Sequence, residues 1–288
     1  MLAQMEQERR TSLSESCHKR VSLLQFIFCL AVLVCCCVPS VPAGAEPGNS
    51  ERPALEDYVY DISFLWFDRL AEARLSLAPG EQAGTLQGRL EARTLGVAAW
   101  LTSDREQRYG ALMEFGDLGR LRSLRYDADI LKTKDGKRKS RLKRYLFDHD
   151  RQRIILQVNR NGRDRPEEVL PMPASAPNDI LTAFYNFRRG VYGEIRPGGH
   201  YRIPALGHGE SSEIVVDLFD EEHRPKKRKF PSGGLLARVK VDPEVFDTGE
   251  GILYIWFDAE RRPALVVVED VIGMGDVRCT LRTGEEKP

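Results

Sequence analysis

Cysteine is nearly absent from the part of the chain that could build a fold. Of six cysteines in 288 residues, Cys17, Cys29, Cys35, Cys36 and Cys37 precede residue 38, and only Cys279 follows. That excludes an internal disulfide framework and any site built on paired thiolates. A charge excess is missing too. Forty-three basic residues balance 43 acidic ones, so the composition gives no electrostatic reason to expect nucleic acid as a partner. The histidines beyond the N-terminus, His149, His200, His208 and His223, form no H-x-x-x-H pair, and neither a metal nor a cofactor is expected. His208 and Ser211 lie close in sequence but lack the G-x-S-x-G elbow that would expose a nucleophile, so the stretch reads as an ordinary loop. No internal repeat is present.

Long apolar runs are missing as well, with one exception. Val21 to Val38 is uncharged, follows His18, Lys19 and Arg20, and precedes a small-residue stretch ending in Ala43 and Ala45. A positive n-region, an apolar h-region and an A-x-A site are the pattern of a secretory signal peptide. Residues 1–45 are therefore expected to be a cleaved leader, and the protein to be exported to the periplasm or cell envelope. A retained anchor is the rival reading, since the run approaches the ~20 residues a span needs. Lipid modification at Cys35, Cys36 or Cys37 is the third. Beyond residue 45, 39 basic and 40 acidic residues remain, and no transmembrane helix is expected.

What is present reads mainly as strands. Residues 46–56 are polar, include Pro47 and Pro53, and suit a flexible approach to the fold. Residues 57–282 read as one β-rich domain, followed by a polar tail at 283–288. Tyr58, Tyr60, Ile62, Phe64 and Trp66 share one parity, giving a strand with an aromatic face. Ala71, Ala73, Leu75 and Leu77 alternate with Glu72, Arg74 and Ser76, which predicts one packed face and one wet face. Val97 to Thr102 also reads as a strand, while Gln107 to Phe115 is ambiguous. Leu121–Lys132 and Lys137–Asp148 predict a hairpin across Asp135 and Gly136. Asn159 to Pro166 reads as a polar loop. Ile252 to Phe257 is apolar on both parities, so both faces should be covered.

One segment predicts a helix. Asn178 or Asp179 can cap it; Ile180, Leu181, Phe184, Tyr185 and Phe187 recur at spacings of three and four; Gly190 ends it. Two to three turns are too short to be stable alone, so the helix must lie on a broad apolar surface. The expected fold is mostly β: a large curved antiparallel sheet or incomplete barrel, with this short helix packed on its concave face and covering the second face of Ile252–Phe257.

Several of these residues together resemble a known family. Asp179, Leu181, Ala183, Tyr185 and Arg188 are similar to the D-x-L-S-A-x-Y-x-x-R helix of the family catalogued as domain of unknown function 3108. Ile255, Trp256 and Asp258 with Arg262 and Pro263 resemble its I-W-x-x-D…R-x-P stretch. Thr182 stands where that family often has Ser, and Asp68 to Glu72 replace a glycine-containing turn. The resemblance implies exported bacterial, mostly β proteins without an assigned activity. In expected architecture it is also similar to lipoprotein-carrier envelope proteins, where a curved sheet wraps helices around an apolar cavity.

Asp179, Phe184, Tyr185, Arg188 and Trp256 form the expected keystone. Phe184, central in the stripe, should be buried against Tyr58, Tyr60, Phe64 and Trp66, or against Trp256. If the helix lines a ligand cavity instead, Phe184 faces partly empty space. Arg188 should reach a carboxylate on the sheet, because a half-buried guanidinium needs a partner. Two basic runs stand out, Lys132–Arg144 and Arg224–Lys229. Lys137, Arg138, Lys139 and Arg141 are candidates for binding an anionic lipid or glycan; the plainer reading is a solvated tip that discourages edge pairing. The expected function is a non-enzymatic envelope protein that binds or carries a lipid or glycan, or joins an envelope assembly. A periplasmic hydrolase and a structural module are the alternatives.

Overall fold

The computed structural model describes residues 54–65, 67–95, 104–134, 137–173, 177–206, 211–226, 229–241, 250–270 and 275–283. Nine strands come first: β1 Glu56–Phe64, β2 Phe67–Pro79, β3 Thr85–Thr94, β4 Glu106–Phe115, β5 Leu121–Lys134, β6 Lys137–Asp148, β7 Arg153–Arg160, β8 Arg163–Asp164 and β9 Glu168–Pro171. Helix α1, Ile180–Arg188, follows. Six strands close the chain: β10 His200–Leu206, β11 Ser211–Phe219, β12 Leu235–Lys240, β13 Ile252–Phe257, β14 Pro263–Val268 and β15 Val277–Leu281. They form one antiparallel sheet in the order β10 to β15, then β1 to β8, with β9 beside β8 on the outer edge of β7. The sheet does not close into a barrel.

The first strand therefore sits mid-sheet, paired with β2 on one side and with the last strand on the other. The sheet curls until its two ends approach each other. Asn178, just before α1, bridges Ala205 of β10 in parallel. Leu206 packs against a cluster of Phe147, Ile154 and Met172 from the opposite end. Curvature of this kind gives a short helix the concave apolar surface it needs.

Alternation decides what faces α1. Tyr60, Ile62 and Phe64 of β1 and Ala71, Ala73, Leu75 and Leu77 of β2 are buried in the same core as Leu181, Tyr185 and Phe187 of the helix. Tyr185 lies close to Gly88 of β3, where a Cβ would stand 3.2 Å from its ring. Asp179 caps the helix start, accepting from the backbone N–H groups of Leu181 and Thr182. Gly190, at φ 73°, lets the chain leave after Val191 N–H has bonded the Asn186 carbonyl, as a left-handed stop requires.

Several expectations are corrected. Phe184 is only half-buried, stacked edge-on against Tyr185 at 5.4 Å. Tyr185 and Phe187 on the flanks of the stripe go deeper. Trp256 is not a partner of the helix. It lies on the outer face with Ile252, Tyr254, Leu265 and Val267, donating its indole N–H to the Gly233 carbonyl at 3.0 Å. Thus β13 is covered twice, but its second face takes the β11–β12 connection, whose Phe230 packs on Tyr254 at 5.7 Å. Arg224, from the second basic run, holds that connection through the carbonyls of Pro231, Gly233 and Gly234. Glu72, read as wet, is fully buried under Arg69, Arg93 and Arg282. The stretch read as a polar loop from Asn159 includes the end of β7 and all of β8. Trp66 and Val97–Thr102 lie outside the described residues.

Candidate functional site

Between α1 and the concave face lies a cavity of about 90 Å³. Folded cores contain few voids larger than one water, so this is more than a packing defect. Its lining is almost wholly apolar: Leu181, Ala183 and Phe184 from the helix face Val239, Leu253 and Val266 from the sheet. Tyr60 contributes the one hydroxyl-bearing side chain of the lining. Such a space offers a ligand dispersion and desolvation, with nothing to ionise it. Among the described residues no group of three or more His, Cys, Asp or Glu could hold a metal.

The helix is fixed over this cavity by buried polar groups along one side. Asp179 is fully buried and accepts four hydrogen bonds, from the N–H groups of Leu181 and Thr182 at 2.9 and 3.0 Å and from the Ser123 and Thr182 hydroxyls at 2.6 Å each. Desolvation still raises its carboxyl above the usual range, against those four donors. The Asp179 N–H in turn donates to Ser123 Oγ at 2.9 Å. About two turns further along, Asn186 behaves like a length of strand. Its Oδ1 accepts from the Leu121 N–H at 2.8 Å and its Nδ2 donates to the Leu121 carbonyl at 2.7 Å. The sequence carried a signal for this set. Asp179, Thr182 and Asn186 are spaced three and four apart, a polar stripe beside the apolar one. Ser123 and Leu121 had no such signal. A serine at 182 could offer the same hydroxyl, so Thr182 conserves the chemistry of the resembling motif.

The C-terminal half is tied down by Arg188. Its guanidinium donates to Glu56 at the start of β1 at 2.5 Å and lies 5.6 Å from the Phe184 ring. Phe184 and Arg188 thus form one unit at the cavity's side. Lys137, Arg138, Lys139 and Arg141 lie on β6, exposed, away from this cavity. Trp256 is on the far face of the sheet. The keystone residues therefore divide: Asp179, Tyr185 and Arg188 seat the helix, Phe184 lines the cavity, and Trp256 belongs to neither. His149 donates from Nε2 to the Ser123 carbonyl at 2.7 Å, a structural role. His208 and the side chain of Ser211 lie outside the described residues. Cys279 is buried, its thiol pushed up to about 12 by desolvation, which leaves it protonated and inert.

Comparison with solved structures finds a β-barrel-like protein of domain of unknown function DUF1849 from Brucella abortus, 11% identical, with a TM-score of 0.43 over 79% of this chain and 95% of that one. No curated protein matches the chain. The pattern of one family spans β1 to the end of β15, from residue 59 to residue 282. With its capped helix, its β13–β14 turn and its C-terminal strand all inside that match, the chain belongs to the family described as protein of unknown function DUF3108.

Proposed function

We propose that this protein is a non-enzymatic binding or carrier protein of the cell envelope, which takes the apolar end of a ligand, such as the last few carbons of a lipid acyl chain, into the cavity beneath α1. The observation that carries the reading is the cavity itself. A space of about 90 Å³ with an apolar lining is poor for water, which needs two to four polar partners, and good for hydrocarbon. Export is supported by the leader pattern at residues 1–45.

Native mass spectrometry of the purified protein should show a co-purifying apolar ligand, and a fluorescent fatty acid should bind and be displaced by it. Ala183 lines the cavity and is buried. Ala183→Leu should fill the space, weakening probe binding about tenfold or more while costing no more than ~1–3 kcal/mol of stability. Probe binding unchanged by this variant, or absent from the parent, sinks the reading. N-terminal sequencing of extracytoplasmic protein should begin at or near Glu46. A retained leader or an acylated cysteine would replace cleavage with one of its rivals.

A further inference from the structure

A second feature lies away from the cavity. In an antiparallel meander, alternate turns fall at the same end of the sheet. The β1–β2, β5–β6 and β7–β8 turns therefore share one end. The C-terminus of α1 is tied to the other end, through Glu56, Gly119 and Arg261.

The shared end is basic by construction. The β5–β6 hairpin outruns its neighbours: β4 pairs no further than Leu131, and β7 no further than Arg141. Register then sets cations against cations, with Lys132 opposite Lys139, Arg141 opposite Arg160 and Arg160 opposite Arg163. Like charges directly across a ladder destabilise it. Arg165 and Arg141 bear on Arg160 strongly enough to lower its guanidinium pKa. Seven cations gather here: Lys137, Arg138, Lys139, Arg141, Arg160, Arg163 and Arg165. Among the described residues, only Arg138 of these comes within ion-pair distance of a carboxylate, Glu106 at 3.9 Å. Three of the seven come from β7, β8 and the residue after it, which the sequence did not join to the hairpin.

Edge protection does not require this much. Lysines that discourage pairing serve on an open edge, as Lys137, Arg138 and Lys139 can where β6 pairs β5 alone, whereas Arg141 is paired on both sides, with Ile130 and Arg160. The same end also exposes carbon. Leu65 and Phe67, flanking the β1–β2 turn, are each 47% exposed, and Leu65 stands at φ 54°.

We propose that this end of the sheet is a docking surface for an anionic lipid bilayer, with the seven cations on the headgroups and Leu65 and Phe67 at the acyl boundary. Charge complementarity selects an anion. The exposed apolar side chains at the same end favour a bilayer over a soluble polyanion, and among the described residues no aromatic interleaves the cations as base stacking would need. The inference goes beyond the cavity reading and stands without it.

The test is co-sedimentation of the chain with vesicles of phosphatidylcholine alone and of phosphatidylcholine with phosphatidylglycerol, across a salt titration. Parent and variants are compared in the same form, so any contribution of residues 21–38 is common to all. Binding should require phosphatidylglycerol and weaken with salt. Arg141→Gln with Arg160→Gln should weaken it about 25-fold, near fivefold for each lost cation. The same double variant removes an opposed like-charge pair, so its melting temperature should equal or exceed the parent's, which separates lost vesicle binding from lost folding. Leu65→Ser should reduce vesicle binding without changing its salt dependence. Ala183→Leu should bind vesicles as the parent does, which separates this surface from the cavity. No preference for phosphatidylglycerol overturns the proposal. So does a parent-like affinity in the double variant, or a polyanionic oligosaccharide that displaces the vesicles while Leu65→Ser has no effect.

Discussion

Asp179 shows how one residue can be both cap and cost. Four donors stabilise its carboxylate, yet burial outweighs them and its pKa stands above the ordinary 3.8. In the interval between unfolded and folded values, the folded state binds more protons. Its contribution to stability is therefore fully present below about 3.8 and is lost as pH rises through the folded value. Asp179→Asn removes that dependence. Denaturant melts of both proteins from about pH 7 to about pH 4 should show the parent gaining on the variant as the solution is acidified. A gap that stays constant would mean Asp179 is not desolvated. Asp148 and Asp220 are held low by their partners and pull the other way, but equally in both proteins. Asn186 makes a starker case. Replacing it by Leu strands the Leu121 N–H and carbonyl in the interior, each unmet group costing ~1–3 kcal/mol. A loss of about 2–5 kcal/mol is expected in urea melts, and a loss under about 1 would show that the backbone finds other partners.

At the scale of the element, α1 was legible in outline and illegible in depth. Its cap, period and glycine stop are local chemistry, so Asp179, the Leu181–Phe187 stripe and Gly190 located it. Which ring goes deepest depends on the curvature of a surface built by distant strands, and no local pattern carries that. Both rings touch the cavity, but Phe184, central in the stripe, is only half-buried, while Phe187 is buried and wedged between Tyr201 and Phe257 with ring centroids 5.4 and 6.5 Å away. Phe187→Ala should therefore cost ~3–5 kcal/mol, the range for a buried Phe. Phe184→Ala should cost only about 1–2, since it gives up part of its burial, and should lower affinity for a fatty-acid probe. Chemical denaturation of the two variants checks the ordering. Equal losses would mean the cavity is collapsed in solution. Strand β13 carries the same lesson. Its two apolar parities announce two covered faces, but parity cannot say which face is concave, so Trp256 was assigned to the helix while the β11–β12 connection covers it.

For the molecule as a whole, hairpins were readable and closure was not. Turn chemistry and alternation located most strands from β1 to β7. The join that makes one sheet, β1 against β15, links residues separated by nearly the whole domain, and no short pattern specifies it. The cavity escaped for a related reason, because a volume is a property of several strands at once. That join is also where the structure is most exposed to a single deletion. Strand β15 pairs Val277 to Leu281 with β1 and Val277 to Thr280 with β14, and Arg282 adds ion pairs to Asp61 at 2.6 Å and buried Glu72 at 2.9 Å. Ending the chain at Asp276 would leave two sheets with facing unpaired edges and take one of three arginines from Glu72. Such edges invite association, and long-range pairing forms late because loop closure precedes its reward. The truncated chain should lose its cooperative thermal transition and aggregate, whereas Arg282→Ala, which leaves Glu72 with Arg69 and Arg93, should melt cooperatively at a lower temperature. A peptide of residues 277–283 added in trans should restore the transition by strand addition. A truncated chain that melts as the parent does, by circular dichroism and in a monomeric state, would show that the two halves fold independently and that the β1–β15 seam is not what holds them together.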